Sequence, residues 1–390
     1  MVPELDLSLV LANIAAAVER NDIPGAVVLV ADPDRVHAFE SMGVSAIGGP
    51  SLQTNALFRI ASMTKPVVSA AAMQFVDAGR LRLDDPVERY LPEMTALTVL
   101  RSLAGGDVVP AERPVTVLDL LTQRAGFAYP GTADGPAADL LRAFNVEFLP
   151  AMPEAAWLER LAATPLMHQP GDAFTYGFST DVLGLLLARL QGRPLGDVLK
   201  RALFDPLGMD ETSFRVGGEE EARLARAYLR DPLNAELVEI PPELDCQHMV
   251  RDTFESGGAG LVSTASDYLR FARFMHDGLD AVGRTLLSRG SLSLITSNHL
   301  TPAQRECPTF GVADYWSEQG FGLGVAVLDR PGPARSKSLG RYGWAGAYGT
   351  FWVNEPRVGL TALLMAQVMT LDAQPAYELQ FEADLHEALP

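Results

Sequence analysis

A serine and a lysine three positions apart, Ser62 and Lys65, are the residues of this sequence best suited to act together in a reaction. If they open a helix they lie on one face, so the lysine amine can reach the serine hydroxyl. A serine hydroxyl becomes a strong nucleophile only when a neighbouring base takes its proton. An amine can be that base when burial or a second positive group favours its uncharged form. The pair therefore indicates nucleophilic catalysis, although a surface lysine one turn after a serine is the simpler explanation.

Lysine is scarce in this chain of 390 residues, which contains only Lys65, Lys200 and Lys337. A Ser-x-x-Lys match arises by chance with a probability of roughly 15%, so the spacing alone is only suggestive. Proline is tolerated in the first turn of a helix but not in its interior, and Pro66 thus places Ser62 at or just before a helix start. There the backbone N–H of Ser62 has no partner within the helix and is free to bind an oxyanion.

The pattern of apolar positions predicts the elements that must hold this pair in place. We expect helices at 5–20, 63–78, 115–121, 154–163, 181–190, 265–277 and about 373–388. We expect strands at 23–31, 36–42, 322–328, 349–354 and 359–366. Strands at both ends with helices between them predict an α/β domain, 1–80 plus 255–390, and a helical inserted domain, 81–254, with the active site between the two.

Two further segments contain side chains of chemical interest. Tyr176, in the stretch 175–179, follows a turn and precedes a predicted helix. A tyrosine beside a cation can relay a proton and so share the role of the base, although a single tyrosine is more simply a packed aromatic residue. Trp344 lies in the glycine- and aromatic-rich stretch 342–349, which we interpret as a turn before a strand, with a bulged edge strand as the alternative.

Composition and charge exclude several classes of function. The formal net charge of −18 argues against binding to nucleic acids or anionic membranes, because both require a basic surface. No apolar run is long enough for a transmembrane helix, and the first residues lack the positive segment of a secretory signal, so we expect a cytoplasmic protein. Cys246 and Cys307 are far apart in sequence and without nearby ligands, which favours free thiols over a disulfide or a zinc site.

Seven segments together resemble the superfamily of serine β-lactamases and penicillin-binding proteins, for which Ser-x-x-Lys is a signature. The resemblance is to the class C-like branch that includes the family VIII carboxylesterases. The segments follow the family's order: 58–65, 115–122 with Gly126, 169–172, 176–179, 204–209, 257–260 and 344–346. The resemblance implies an α+β fold of the β-lactamase/transpeptidase type, with an antiparallel sheet flanked by helices, built from both termini, and a mostly helical inserted domain.

The same resemblance implies the roles of the site residues. Ser62 would be the acylated nucleophile, with Lys65 and Tyr176 sharing the role of general base. The backbone N–H groups of Ser62 and Ala347 would form the oxyanion hole. An ester would acylate Ser62 and lose its alcohol, and water would then release the acid. No metal or cofactor is expected, and the implied partner is a small ester.

Substrate preference is implied by four other positions: Trp344, Gly346, Ser179 and Phe127. Ser179 stands where the lactam-hydrolysing relatives have an asparagine. Trp344 stands where β-lactamases and peptidases of this superfamily usually have a lysine or histidine, and it cannot supply their positive charge. We therefore expect short-to-medium acyl esters to be favoured over β-lactams and peptides.

Other functions remain possible on the sequence alone. The same acyl-enzyme could pass its acyl group to an alcohol or amine, which would make the protein an acyltransferase. A β-lactamase, a D-amino-acid peptidase and a non-catalytic binding protein with the same fold are further alternatives. An α/β-hydrolase is excluded because no serine of this chain lies in a Gly-x-Ser-x-Gly elbow. The six histidines show no metal-binding spacing.

Overall fold

The computed structural model describes residues 5–102, 106–130, 138–139, 141–142, 152–231, 233–241, 254–306, 315–370 and 374–390. The helices within these ranges are α1 (Ser8–Glu19), α2 (Thr64–Asp77), α3 (Val117–Leu121), α4 (Glu154–Ala163), α5 (Ser179–Gln191), α6 (Leu195–Leu199), α7 (Asp205–Leu207), α8 (Ala265–Asp277), α9 (Arg289–Ile295), α10 (Pro302–Arg305), α11 (Tyr315–Glu318) and α12 (Ala376–Ala388). The predicted helices are thus confirmed, with shifts of a few residues at their ends.

The main sheet has seven strands and is antiparallel throughout. Its spatial order is β2 (Val36–Gly43), β1 (Gly25–Ala31), β13 (Leu360–Met365), β12 (Thr350–Glu355), β11 (Tyr342–Gly346), β10 (Ala326–Leu328) and β9 (Gln319–Phe321). Two strands therefore come from the first 43 residues and five from the last part of the chain. This arrangement confirms the expected fold class.

Strand β1 shows how the sheet separates two layers of the core. All seven of its residues are buried, and successive side chains point to opposite faces. Val27 and Leu29 pack in the cluster that includes α2, whereas Val28 and Val30 pack in the cluster formed with α1 and α12. Each such side chain contributes about 1.5–3 kcal/mol on burial, so both faces of the strand hold the sheet in place. Helix α2, which follows Ser62, is thereby fixed against one face.

Three small sheets complete the described structure. They are β3 (Phe58–Arg59) with β8 (Val262–Ser263), β4 (Thr98–Leu100) with β5 (Val108–Pro110), and a three-stranded sheet of β14 (Val368–Met369), β6 (Tyr228–Arg230) and β7 (Leu237–Glu239). The last sheet joins strands of the predicted inserted segment to a strand near the end of the chain. The division into 1–80 plus 255–390 and 81–254 stays a prediction.

Two predictions about strands were wrong. The segment 322–328 is not one strand but the turn and second strand of the hairpin β9–β10, because Gly324 adopts a left-handed conformation with φ of +86°. The stretch from Tyr342 to Gly346 is not a turn or an edge but an interior strand, β11, between β10 and β12. Gly343 makes this close pairing possible, since a Cβ atom there would lie 2.0 Å from the carbonyl oxygen of Trp352.

Some predictions concern residues outside the described ranges. Cys246 and Cys307 lie outside the described residues. In the described ranges, no helix combines the length and the hydropathy needed to cross a membrane. The same ranges contain no group of three or more His, Cys, Asp or Glu side chains arranged to hold a metal ion.

Candidate active site

A strained turn presents Ser62 at the start of α2. The residues Ala61–Met63 form one turn of 3₁₀ helix that leads into α2, and Ala61 has a φ of +40°. A left-handed conformation costs a residue with a side chain about 1–3 kcal/mol, and such strain persists only where surrounding contacts impose it. Here the carbonyl of Ile60 accepts hydrogen bonds from the Met63 N–H (3.0 Å) and from Thr350 Oγ1 of β12 (3.3 Å). The turn is therefore held from the sheet side.

Lys65 lies one turn further on and is completely buried, while Ser62 is 6% exposed. The Nζ atom of Lys65 is 3.2 Å from Ser62 Oγ, 3.0 Å from the hydroxyl of Tyr129 and 2.8 Å from the carbonyl oxygen of Gly258. An ammonium group can donate to all three. A neutral amine can donate to Tyr129 and Gly258 and accept from the Ser62 hydroxyl. The lysine can therefore exchange a proton with Ser62 without losing a hydrogen bond.

Tyr129 is a site residue that the sequence did not reveal. It follows α3 and the left-handed Gly126, and its ring packs edge-on against Tyr176 and Phe178, with centroids 5.7 and 4.6 Å away. Burial raises the pKa of the Tyr129 hydroxyl well above 10, and the nearby charge of Asp181 raises it further. Tyr129 consequently stays protonated and acts as a neutral acceptor for Lys65.

The ring of Tyr176 contacts Lys65, and the hydroxyl of Tyr176 contacts Trp344. Lys65 Nζ lies 4.5 Å from the centre of the Tyr176 ring, a distance typical of a cation–π contact. The indole Nε1–H of Trp344 donates to the Tyr176 hydroxyl oxygen at 2.9 Å. This hydrogen bond fixes the orientation of the Tyr176 hydroxyl and ring. Both side chains are buried, at 3% and 5% exposure, so this contact is shielded from solvent.

The end of β11 lies directly against the nucleophile turn. A Cβ atom on Gly346 would lie 2.4 Å from the carbonyl oxygen of Ile60, so only glycine permits this approach. Ala347 follows it at the exposed turn to β12. Within the described residues, neither the N–H of Ser62 nor that of Ala347 donates a hydrogen bond. Their role as the oxyanion hole stays a prediction.

A buried carboxylate lies behind the lysine. Asp181 is in the first turn of α5, five positions after Tyr176, and is 2% exposed. Its Oδ1 atom accepts from Ser256 Oγ at 2.5 Å and from the Gly258 N–H at 3.0 Å. Burial raises the pKa of Asp181, while the charge of Lys65 and these two hydrogen bonds oppose that rise. Gly258 thus touches both the carboxylate and the lysine.

The remaining predicted positions are less clearly part of the site. Ser179 is the first residue of α5 and fully buried, and its Oγ has no hydrogen-bond partner in the described part of the chain. The Phe127 side chain lies in the main hydrophobic core. Its carbonyl oxygen packs against Gly177, where a Cβ atom would lie only 2.0 Å from that oxygen. Their contact with substrate stays a prediction.

Comparisons with known proteins agree with this geometry. A family model described as Beta-lactamase matches residues 10–386, so the chain belongs to the Beta-lactamase family. Protein Rv1367c of Mycobacterium tuberculosis (strain ATCC 25618 / H37Rv) is 36% identical over 365 residues, which are 91% of this chain and 88% of that protein. Esterase EstB of Burkholderia gladioli is 29% identical over 375 residues, or 90% and 87% of the two chains.

A solved structure is similar over nearly its whole length. It is EstCE1, described as a hydrolase with promiscuous acyltransferase activity, with a TM-score of 0.81 and 25% sequence identity over 97% of this chain and 98% of that one. The resemblance drawn from seven sequence segments is therefore confirmed, and with it the class of enzyme, a serine hydrolase.

Proposed function

We propose that this protein is a carboxylesterase of the family VIII type that hydrolyses short-to-medium acyl esters through an acyl-enzyme on Ser62. The amine of Lys65 takes the Ser62 proton as Oγ attacks the ester carbonyl, and the N–H groups of Ser62 and Ala347 receive the developing oxyanion. The same proton is returned to the departing alcohol, so the charge of the site is restored. Water, deprotonated by the same base, then attacks the acyl group, and the base returns that proton to Ser62 Oγ as the acid is released.

The observation that carries this proposal is the contact between Lys65 Nζ and Ser62 Oγ, two side chains that are both buried. The Lys65 amine can accept the proton of the Ser62 hydroxyl while it keeps its hydrogen bonds to Tyr129 and Gly258. Tyr176 supports the base in two ways: its ring faces the ammonium that forms, and its oxygen is oriented by Trp344. The similarity to Esterase EstB supports an ester as the substrate.

The preference for esters over β-lactams rests on Trp344. A site that recognises a substrate carboxylate gains about 1.5–3 kcal/mol from a charged hydrogen-bond donor. Trp344 carries no charge, and its single N–H already donates to Tyr176. We therefore expect kcat/KM for a short p-nitrophenyl ester to exceed that for a cephalosporin by at least about 100-fold.

Acyl transfer is a second candidate, because EstCE1 is described as a hydrolase with promiscuous acyltransferase activity. The acyl-enzyme is common to both reactions, and only its acceptor differs. Product analysis with and without an added alcohol separates the two, since a transferase yields the new ester in place of the acid.

The test is a panel of p-nitrophenyl esters assayed beside a chromogenic cephalosporin, with Ser62→Ala as the variant that removes the nucleophile. We expect Ser62→Ala to abolish ester turnover. Ser69→Ala is the matched control: Ser69 is on the same helix, is buried, and its Oγ has no hydrogen-bond partner among the described residues. Wild-type turnover in Ser62→Ala, or equal efficiency on both substrate classes, would overturn the proposal.

A further inference from the structure

The buried position of Lys65 creates an electrostatic problem that the predicted site residues do not solve. Its side chain is fully buried, and burying an ammonium group without a compensating charge is costly. Among the residues described here, no carboxylate lies within salt-bridge distance of Nζ. The positive charge that forms when Lys65 accepts a proton must be balanced from further away.

Asp181 is placed to balance it through one glycine. The N–H of Gly258 donates to Asp181, and the carbonyl of the same residue accepts from Lys65. A Cβ atom on Gly258 would lie 2.3 Å from Asp181 Oδ2 and 2.9 Å from the Tyr129 hydroxyl. Only glycine therefore allows the carboxylate, the phenol and this backbone segment to pack so closely. In a site of low dielectric, charges joined in this way interact strongly even without direct contact.

We propose that Asp181 is a positioning residue of the esterase site, whose carboxylate acts through Gly258 to stabilise the ammonium form of Lys65. The inference rests on the proposed esterase function. The groups facing Asp181 are the Lys65 ammonium on α2, the neutral Tyr129 hydroxyl after α3, and the uncharged Ser256 and Gly258. Lys65 is the one charged side chain among these described groups, so its positive charge is the one that the Asp181 carboxylate can balance.

Asp181→Asn tests this role, because asparagine keeps an oxygen for Ser256 and Gly258 and removes only the charge. Without the carboxylate, the positive charge that forms when Lys65 accepts a proton is stabilised less well. We therefore expect the acid limb of the pH profile of kcat/KM for a p-nitrophenyl ester to move to lower pH by about one unit or more. Ser256→Ala removes one hydrogen bond to the Asp181 carboxylate. It should move the acid limb of the pH profile in the same direction by a smaller amount.

Asp267→Asn is the matched control. Asp267 is also 2% exposed and accepts hydrogen bonds from the Glu211 N–H and Thr212 Oγ1, and it lies in the first turn of α8. This variant should lower the melting temperature and leave the acid limb unmoved. If Asp181→Asn reduces activity equally at every pH, the role is structural and the inference is wrong.

The remaining outcomes keep the inference separate from the proposed function. If Asp181→Asn does not fold, an unmoved limb in Ser256→Ala overturns the inference, and a shifted limb supports it. Activity that survives Ser62→Ala means that the esterase proposal itself has failed. Activity that depends on Ser62 but shows no shift in either variant refutes only the role of Asp181.

Discussion

Among the described residues, two serines are hydrogen-bonded to a lysine or histidine, and only one of these pairs lies in a setting that favours catalysis. In the first, Ser62 Oγ is 3.2 Å from Lys65 Nζ. In the second, near the end of the chain, Ser338 Oγ is 2.9 Å from Nδ1 of His386 on α12. Judged by distance and residue type alone, the serine–histidine pair is the better candidate, because histidine is the commonest catalytic base.

The surroundings of the two pairs reverse that ranking. Ser338 is completely buried, and its hydroxyl is also hydrogen-bonded to the carboxyl of Glu355. Burial and the neighbouring cations Lys337, Arg341 and Arg335 lower the pKa of His386. Ser338 thus sits beside an acid that an oxyanion would repel, whereas Ser62 lies beside two N–H groups without acceptors among the described residues. A serine is recognised as a nucleophile when substrate can reach it and when hydrogen-bond donors can stabilise the oxyanion. A nearby base alone does not identify it.

The largest effect that separates the two pairs concerns their bases. Lys65→Ala should lower kcat/KM for a p-nitrophenyl ester by several orders of magnitude, because the Ser62 hydroxyl loses the group that takes its proton. His386→Ala is the corresponding change in the second pair and should leave ester turnover near the wild-type value. Steady-state rates of both variants measure this. Loss of turnover in His386→Ala at unchanged thermal stability would show that the wrong pair was chosen.

A smaller effect is expected at the tyrosine that supports the first pair. Tyr176→Phe keeps the ring that faces Lys65 and removes the hydroxyl, so kcat should fall by about 100-fold or more if that hydroxyl moves a proton. Trp344→Phe removes the hydrogen bond to Tyr176 and part of the aromatic surface that packs on it, and it should cost less, about tenfold in kcat. Single-turnover rates distinguish the two. An unchanged kcat in Tyr176→Phe would reduce Tyr176 to a packing residue.

The smallest effect on activity is expected at the second serine. Ser338→Ala should leave kcat/KM within about twofold of wild type and lower the free energy of unfolding by about 1–3 kcal/mol, because Glu355 and His386 lose a buried partner. Thermal unfolding followed by circular dichroism, together with the ester assay, measures both quantities. A strong loss of turnover without loss of stability would contradict the distinction drawn between the pairs.

Much of the first pair's setting could be predicted from the sequence, because the signals are local. The spacing of Ser62 and Lys65, the position of Pro66 and the apolar pattern of α2 all lie within 16 residues. The strands β1, β12 and β13 were predicted for a similar reason, since each contains a run of three or more apolar residues. Strand β11 was missed because glycines at positions 343 and 346 resemble a turn, although here they permit close contact between backbones.

Tyr129 and Asp181 could not be predicted, because nothing local distinguishes them. Tyr129 is one tyrosine in an irregular segment, and Asp181 is an acidic residue in a first helical turn, where acidic residues are common. Their importance arises from contacts across 64 positions to Lys65 and 77 positions to Gly258. Trp344 was singled out because it lacks a charge, but its partner, the Tyr176 hydroxyl, is visible only in three dimensions.

The pairing of β1 with β13 bears on how the chain folds. Val27 pairs with Met365, so the centre of the main sheet closes only after more than 300 residues have been brought together. Contacts so distant in sequence close slowly, because the entropy of a large loop is lost before the contact is gained. The strand β11, which brings Trp344 and Ala347 to Ser62, is attached to that central pair through β12. Ester turnover should therefore appear at the last step of refolding, after most helical structure has formed.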